Sequence, residues 1–403
     1  MTTKVVFAFD QGAGGVTNFF TLDNPVSGEL DNSIYTLGGN FSLVDVTDDV
    51  RSVSVSRGRS RVLDRTQAGA ANILLDNRAR LYDPTAGTAI SPYATSIVPR
   101  KNVSITVNDE PIFTGLVDDW DISYDLSGDS TTTAICSDGF LVLGQVTIGT
   151  ATKTAQASGT RVGVILTEAD WPTSKRDIST GEATLQADTP AANVNALDYI
   201  QTVTDTEFGA FFMSRAGNAT FKDRTETQDF TTTTNLGGTG IPISSVSIEY
   251  GSEQLFNDVT LVRLNGGTAT ASDATSKTAY GVNELSKTGL LFDTDAQLTE
   301  LADYLLSRYK DPVFRISEVT VLMDGLTSTE QSQIAALDIT DPLLVTFTPA
   351  VGSAVTQYAT LDRVSHSITP GQHVVTLSMS QAQPSFILNN SEFGQLDDDV
   401  LGF

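Results

Sequence analysis

Hydrophobic and polar residues alternate with a period of two along most of the chain, and turn-forming residues separate the alternating runs. The clearest runs are KNVSITVNDEPIFTGLV from Lys101, IPISSVSIEY from Ile241, DPLLVTFTP from Asp341 and ATLDRVSHSITPGQHVVTLSMS from Ala359. This period is typical of half-buried antiparallel strands. In the last run, Pro370 and Gly371 separate two alternating segments and favour a tight hairpin turn. The sequence therefore predicts a mainly β fold.

The period of an amphipathic helix occurs at only a few places. The clearest helix is predicted from about Asp295 to Tyr309, with Thr294 and Gln297 in a capping-box pattern at its start. A second helix is predicted from about 193 to 204, and a short third one near 330 to 336. Both main helices have one apolar face, so we expect each of them to pack on a sheet.

Stretches rich in Thr, Ser, Gly and Ala interrupt the periodic pattern at about 147–160 and 231–240, and we interpret them as domain boundaries. A further polar stretch, NGGTATASDATSKT from Asn265, is interpreted as a long exposed loop. No short-period repeat is found. The predicted division is a first β domain (1–146), a middle α+β domain (147–240), a second β domain (241–385) and a C-terminal tail (386–403).

The charge balance is strongly acidic, with 24 Lys and Arg against 49 Asp and Glu and a formal net charge of −25. So negative a surface repels nucleic acid and anionic lipid at long range, which argues against stable nucleic-acid binding. No apolar stretch approaches the roughly 18 residues of a membrane-spanning helix, and the N-terminal apolar run is too short for a secretory signal. We therefore expect no transmembrane segment and assembly in the cytoplasm.

Residues suited to nucleophilic or metal chemistry are few. Cys136 is the single cysteine, which excludes an intrachain disulfide and a multi-cysteine zinc site. His366 and His373 flank the predicted turn and could lie near each other, so a metal pair is conceivable. No HExxH or similar spacing supplies further ligands, and a pair of histidines on a hairpin is usually exposed or hydrogen-bonded to the backbone. We expect neither a metal nor a cofactor.

Three carboxylates cluster around Trp120, namely Asp118, Asp119 and Asp121. A retaining glycosidase needs two carboxyl groups about 5 Å apart, so the cluster admits a lytic interpretation. In a chain with 49 acidic residues, such clusters arise often as solvated strand ends. We favour the solvated strand end and predict that the protein is not an enzyme.

One segment departs from the acidic background, because nine basic residues lie between Arg51 and Lys101 against three acidic ones. The segment has two open interpretations. The basic side chains form salt bridges within one domain, each of small energy, or they meet an acidic neighbour in an assembly. The second interpretation makes four residues candidates for a subunit interface: Arg57, Arg59, Arg61 and Arg65.

The same segment carries a family resemblance. The stretch RGRSRVLDRTQAGAANILLDNRARLYDPTAG from Arg57, followed by SPY at Ser91 and IFTGLVDDWDISY from Ile112, resembles the N-terminal part of siphophage minor tail proteins. These are the tail-hub proteins at the distal end of the tail tube. Further stretches that are similar to this family begin at Ala196, Tyr280, Leu361 and Ile387.

The resemblance implies a hub-like fold, with two tube-forming antiparallel β-barrel or sandwich domains and an inserted small α+β domain. It implies a homo-oligomer, in which a trimer presents six β domains around a lumen and a sixfold distal-tail or tube ring is the alternative. The implied partners are distal tail and tube proteins, the tape-measure protein and a downstream spike or fibre, with genomic DNA only in transit. The expected location is the virion tail tip. A tail-tip cell-wall hydrolase or glycan-binding module is the alternative of another class.

Overall fold

The structure, a computed structural model, describes residues 1–10, 41–61, 63–230 and 233–382. Strands dominate this part of the chain, and large antiparallel sheets confirm the predicted mainly β fold class. Within the same ranges, none of the helices combines the length and the apolar composition needed to cross a membrane. The predicted tail, 386–403, lies outside the described residues.

The described residues form six α-helices and twenty-one strands. The strands are β1 (Thr3–Asp10), β2 (Phe41–Asp45), β3 (Val50–Gly58), β4 (Gln67–Asp76), β5 (Asn102–Val107), β6 (Glu110–Tyr124), β7 (Ser130–Ser137), β8 (Gln156–Ala157), β9 (Arg176–Ile178), β10 (Thr184–Leu185), β11 (Ala210–Met213), β12 (Ala219–Lys222), β13 (Thr234–Gly237), β14 (Ser245–Glu249), β15 (Asp258–Arg263), β16 (Thr268–Ser272), β17 (Glu284–Leu290), β18 (Arg315–Leu322), β19 (Pro342–Phe347), β20 (Val355–Thr369) and β21 (Gln372–Gln381). The helices are α1 (Phe140–Leu143), α2 (Ser158–Glu168), α3 (Ala196–Glu207), α4 (Ala274–Tyr280), α5 (Asp295–Tyr309) and α6 (Ser328–Ala335).

One large sheet contains thirteen of the described strands. Eleven of them follow the order β14-β18-β21-β20-β3-β4-β7-β6-β5-β1-β2, while β19 pairs with β20 and β13 pairs with β19. All neighbours in this sheet run antiparallel except β13 and β19, which run parallel. The pairing of β20 with β3 makes a single sheet from strands that are far apart in the sequence.

Alternation along the strands places one face of this sheet on a hydrophobic core. In β3, Val53 and Val55 are buried, whereas Ser54 between them is exposed. The core draws on strands from both ends of the chain, from Val5 to Met379. A half-buried antiparallel sheet is therefore built from the alternating runs, as the sequence predicts.

A second hydrophobic cluster combines α2, α3 and α5 with the short strands of the middle of the chain. Ile165 of α2, Ile200 of α3 and Leu301 of α5 are fully or almost fully buried in it. The cluster takes residues from both sides of 231–240. The division into three domains stays a prediction, because shared packing does not show which segments fold independently.

The predicted helices are present. Helix α5 begins and ends at the predicted residues, and the Thr294 hydroxyl accepts a hydrogen bond from the backbone N–H of Gln297 at 3.4 Å. Helix α3 covers most of the second predicted helix and continues to Glu207, with Asn195 as its N-cap. Helix α6 matches the short third one. The hairpin turn at 370–371 is also confirmed, since β20 and β21 are adjacent antiparallel strands.

The predicted long loop from Asn265 is wrong, because this stretch forms β16 and α4. Ala269 and Ala271 point inward from β16 and are nearly buried, while Asp273 caps α4 by accepting a hydrogen bond from the N–H of Ser276. Alanine gives only a weak hydrophobic signal, so a strand with alternating Thr and Ala has the composition of a loop. Helix α2 was not predicted either.

Candidate assembly surfaces

The large sheet consists of two halves with the same strand plan. The order β3-β4-β7-β6-β5-β1 in the first half is matched by β14-β18-β21-β20-β19-β13 in the second. The central strands β6 and β20 are each 15 residues long, and each pairs first with the preceding strand and then with the following one. The halves differ in their last strand, since β1 runs antiparallel to β5 and β13 parallel to β19. We call this correspondence the repeat.

The repeat extends to single residues. A break in register follows Val117 in the pairing of β6 with β7 and Leu361 in that of β20 with β21. Arg100 and Thr340 both have left-handed backbone conformations, with φ of 70° and 73°. Each donates its backbone N–H to the residue before the break, at 2.7 Å to the carbonyl oxygen of Val117 and of Leu361 respectively. Two non-glycine residues in this sparsely populated conformation at matching places indicate a common architecture.

The two halves meet where β20 pairs with β3, and we call this junction the seam. Residues 363–368 of β20 face residues 53–58 of β3 in antiparallel register. Gly58 lies at the end of the seam with φ of 123°, and a Cβ atom there would lie 2.1 Å from the carbonyl oxygen of Asp362. Glycine is required at this position because the backbones approach too closely for a side chain.

Arg57 and Arg59 are buried at the seam, with exposed fractions of 3% and 7%. Arg57 donates from Nε to the carbonyl oxygen of Ile112 at 3.0 Å and from Nη1 to Asp338 at 2.6 Å. Arg59 donates from Nε to Asp362 at 2.8 Å. Both guanidinium groups therefore hold together parts of the same chain that are about 280 or more residues apart in sequence.

The other two arginine candidates are about half exposed and pair with residues outside the seam. Arg61 pairs with Glu253, which also contacts Arg315 at the end of β18, beside β14. Arg65 pairs with Asp205 of α3 at 2.7 Å. The structure thus does not gather the four arginines into one patch. Their role in a subunit interface stays a prediction, and Arg61 is the candidate that lies near an open strand edge.

The repeat leaves two strand edges without the partner that the seam provides. Among the described strands, β14 pairs only with β18, and residues 119–124 of β6 pair only with β7. By the repeat, residues 119–124 correspond to residues 363–368 of β20, and β14 corresponds to β3. Large apolar side chains are exposed at both edges, with exposed fractions of 53% for Tyr124, 42% for Ile248 and 69% for Tyr250. Unpaired edges of this kind are templates for pairing with another chain.

The face of the sheet opposite the core is rich in hydroxyl groups around the seam. A shallow depression of about 320 Å³ lies there, and none of its lining residues is an acid, a lysine or an arginine. Its polar lining consists of Ser54, Ser56, Asn72, Ser365, His366, Ser367 and Thr376. The depression can therefore make only neutral hydrogen bonds.

The two histidines lie together beneath this face, as their spacing allows. His366 Nδ1 is 3.0 Å from His373 Nε2, and both rings are buried. The backbone N–H of His373 donates to Asp324 at 2.8 Å. Burial lowers the pKa of His366 well below its usual value and that of His373 to about 4, so both rings are neutral at pH 7. In the described ranges, no three His, Cys, Asp or Glu side chains are grouped to hold a metal ion.

Cys136 and two of the carboxylates near Trp120 are held by their surroundings. Cys136 is 1% exposed, and burial raises the pKa of its thiol, which disfavours the nucleophilic thiolate. Asp118 accepts a hydrogen bond from the hydroxyl of Ser137, and Asp119 accepts one from the N–H of Trp120 at 2.8 Å. These carboxylates lie on the part of β6 that leads to its open edge.

Asp338 is a structural residue that the sequence did not single out. Its carboxylate accepts from Arg57 and also from the backbone N–H of Arg215 at 2.9 Å, so it joins the seam to the second cluster. Asp138 is another, nearly buried between the backbone N–H groups of Gly69 and Phe140, and burial raises its pKa to about 6. Only the contacts distinguish these two from the other acidic residues.

Solved structures with the same fold as this chain include two tail proteins. The 43 kDa tail protein of prophage MuSo2 from Shewanella oneidensis superposes with a TM-score of 0.58 and 14% identity, covering 85% of this chain and 94% of that chain. A tail protein from Neisseria meningitidis MC58 has a TM-score of 0.56 and 11% identity, with the same coverage. No protein-family model matches the sequence, and no curated protein is detectably similar to it. The expected likeness to phage tail proteins is therefore confirmed at the level of the fold.

Proposed function

We propose that this chain is a structural subunit of a phage tail, a tail-hub protein that forms a ring at the tail tip of a long-tailed phage. The observation that supports the proposal is the repeat. Its junction forms once within the chain, where β20 pairs with β3, whereas the matching strands β6 and β14 are left without this partner. A chain with one free copy of each edge of the seam is built to pair head to tail with other copies.

The repeat gives this contact a register. In the seam, Ser367 of β20 pairs with Ser54 of β3. Their counterparts are Ser123 of β6 and Ser247 of β14, which we expect to face each other between two copies. Such a head-to-tail contact closes into a ring when the rotation per subunit divides a full turn, and closure removes the exposed strand edges. We favour three copies, which place six sheet halves in one ring.

In this ring, the hydroxyl-rich face lines the lumen. Its uncharged groups do not bind phosphates as a lysine or arginine surface does, and the strongly negative charge of the whole chain opposes adhesion of DNA. Genomic DNA can therefore pass the ring during ejection without being retained. The proposed partners are the distal tail and tube proteins, the tape-measure protein and a downstream spike or fibre, in a virion assembled in the host cytoplasm.

The register can be tested by disulfide trapping. In the double variant Ser123→Cys/Ser247→Cys, the new thiol at 123 of one copy should face the new thiol at 247 of the next copy. Cys136 is buried and does not interfere. Under mild oxidation, we expect covalent oligomers on a non-reducing gel, ending at a circular trimer. The matched control is Ser123→Cys/Ser245→Cys, whose thiols are displaced by two residues along β14.

The length of the cross-linked ladder distinguishes the two ring sizes. A ladder that ends at six copies would support the sixfold ring in place of the hub. The assembly proposal is wrong if the double variant stays monomeric both in concentrated solution and in virions, or if the control cross-links equally well.

A further inference from the structure

The seam buries a stripe of side chains on the core side of each of its two strands. Opposite residues of an antiparallel pair point to the same face of the sheet. The core-facing residues are Val364, His366 and Ile368 on β20, which pair with Arg57, Val55 and Val53 on β3. All six residues are buried. The protein interior therefore continues without a gap from one half of the sheet to the other.

The repeat gives the matching core-facing positions on the two open edges, and all of them carry apolar or aromatic side chains. They are Trp120, Ile122 and Tyr124 on β6, and Val246, Ile248 and Tyr250 on β14 and directly after it. We call these sets the β6 stripe and the β14 stripe. In contrast to the residues of the seam, none of the six is fully buried.

The exposure of the β14 stripe has no explanation within the free chain. A natural sheet edge is usually protected by charged residues or by a covering element, because an apolar edge invites pairing with another chain. Ile248 and Tyr250 are instead among the exposed large apolar residues. At the seam, the partner strand covers the same positions. The covering element that the repeat indicates for the β14 stripe is therefore the β6 edge of a second copy.

The ion pair of Arg57 with Asp338 also has an apolar counterpart. Asp338 lies two residues before Thr340, and Val98 lies two residues before Arg100, which matches Thr340 in the repeat. Val98 is 40% exposed. An exposed apolar side chain thus occupies the place that a paired carboxylate has at the seam.

Trp120 connects Val98 to the β6 stripe. Its indole Nε1 donates to the carbonyl oxygen of Val98 at 3.1 Å, and its ring centroid lies 5.3 Å from that of Phe7 in the core. These contacts hold the indole in one orientation while part of it stays exposed. Aromatic anchors on such preformed apolar surfaces are typical of the residues that supply most of the affinity of an interface.

The opposite face of the same contact cannot supply the affinity. At the seam, Ser365 pairs with Ser56 on that face. Their counterparts are Asp121 and Glu249, and like charges directly opposite each other destabilise strand pairing. Arg315 forms an ion pair with Glu249 and reduces this repulsion. The attraction between copies must then come from the core-facing stripes.

We propose that the β6 stripe and the β14 stripe pack on each other between neighbouring copies, with Tyr250 of one copy seated on Trp120 and Val98 of the next. This inference rests on the proposed ring and names the residues that give the ring its affinity. The other expected pairs are Ile248 with Ile122 and Val246 with Tyr124. Apolar contacts replace the ion pair of the seam, so no charge is left buried without a partner in a copy that has not yet assembled.

The test uses the full-length trapping variant Ser123→Cys/Ser247→Cys. When oxidation is slow, the initial rate of covalent dimer formation reports the fraction of copies whose edges are paired. In this background, Tyr250→Ala should lower the rate at least about tenfold, as truncation of a central aromatic anchor does. Tyr280→Ala is the matched control, because Tyr280 is also exposed but belongs to α4, and it should leave the rate unchanged. Thermal melting verifies that both variants are folded.

A second set of variants transplants the ion pair of the seam into the contact. Tyr250→Arg alone should lower the cross-linking rate at least about tenfold, because the aromatic anchor is lost. Addition of Val98→Asp should restore the rate at least about fivefold, since a carboxylate of one copy then meets the guanidinium of the next. Val351→Asp is the control for charge alone, because Val351 is 90% exposed in the loop between β19 and β20, outside both stripes. It should restore nothing.

The outcomes separate this inference from the ring on which it rests. If the trapping variant itself gives no covalent oligomers, the proposed ring is wrong and the inference is wrong with it. If trapping proceeds and Tyr250→Ala leaves the rate unchanged, or if Tyr280→Ala slows it equally, only the inference is overturned. Restoration by Val98→Asp and not by Val351→Asp supports the seat of Tyr250, and equal effects of the two overturn it.

Discussion

Strands β20 and β6 occupy matching positions in the two halves of the large sheet, but a further strand covers only the edge of β20. Residues 363–368 of β20 are covered by β3, and the buried Arg57, Arg59 and Asp362 join the strands on either side. None of the described strands covers residues 119–124 of β6 in this way. The counterpart of β3 in the repeat is β14, which lies at one end of the same sheet. One copy of the junction is thus completed within the chain.

The comparison teaches that folding and assembly use the same geometry here, with different side chains. At the closed junction, charges are buried and paired, which is stable only when every partner is present. At the open edges, the acidic Asp119 and Asp121 on β6 and the apolar Ile248 on β14 are exposed and tolerate water. A surface that must exist alone before assembly cannot carry unpaired buried charges.

The largest expected effect breaks the closed junction. Arg57→Met removes a guanidinium whose side chain is 2% exposed and leaves the Asp338 carboxylate without its ion pair. Loss of one member of a buried pair costs about 4 kcal/mol, so the free energy of unfolding should fall by about that amount. Urea unfolding measures it. Arg61→Met is the control, because its pair with Glu253 is about half exposed and should cost less than about 1 kcal/mol. Equal losses in the two variants would contradict the distinction between the junctions.

A smaller effect sharpens the comparison through pH. The pKa of His373 is about 4 in the folded chain, below its usual value of 6.5, because burial disfavours the charged ring. Between these values the unfolded chain binds more protons, so the stabilising contribution is complete above pH 6.5 and is lost as pH falls through 4. We expect a loss of up to about 3 kcal/mol over this window relative to His366→Gln/His373→Gln, in which neither of these two positions can titrate.

Urea midpoints at a series of pH values test this prediction, with both proteins compared at each pH so that the carboxylates cancel. The groups facing the two rings include Arg57 and Asp324. On the open strand, Ile122 occupies the position that corresponds to His366, so no equivalent titration exists there. Parallel curves for the two proteins would show that the rings do not titrate as a buried pair.

The smallest effect concerns the open edge. Arg61→Glu places a carboxylate beside Glu253 and close to β14, where a neighbouring copy would bring Asp119 and Asp121. Like charges across an edge contact should weaken association about fivefold at low salt, and less at high salt. Mass photometry at two ionic strengths measures this change, and melting should be nearly unaffected. Arg78→Glu, with a side chain 66% exposed and paired with Asp76, is the control. Unchanged association would leave Arg61 with an intrachain role alone.

Local signals in the sequence predicted the elements well where apolar residues were large. The runs that contain Val53, Ile105 and Leu377 formed strands, and Thr294 capped α5 as expected. The prediction failed for β16, where Ala supplies the buried face, and it missed α2, which contains Gly159 and Gly163. Small residues bury little area, so their period is weak even when the packing is real.

The sequence also predicted only some of the contacts at the candidate assembly surfaces. The sequence correctly suggested that His366 and His373 are close, because a hairpin fixes the distance between its strands. It left open whether the arginines act within the chain, because the partners of Arg57 and Arg59 are Asp338 and Asp362, far away in sequence. Ion pairs of this separation leave no periodic trace.

The sequence by itself determined that the chain is a mainly β protein of negative charge with one strong hairpin and a few capped helices, since alternation, turn residues and caps act over short distances. Tertiary structure alone decided that β20 pairs with β3, that the two halves of the sheet repeat one plan, and that β14 and the end of β6 are left open. Strand pairing depends on backbone hydrogen bonds, which are the same for every residue, so the sequence does not state which edges meet.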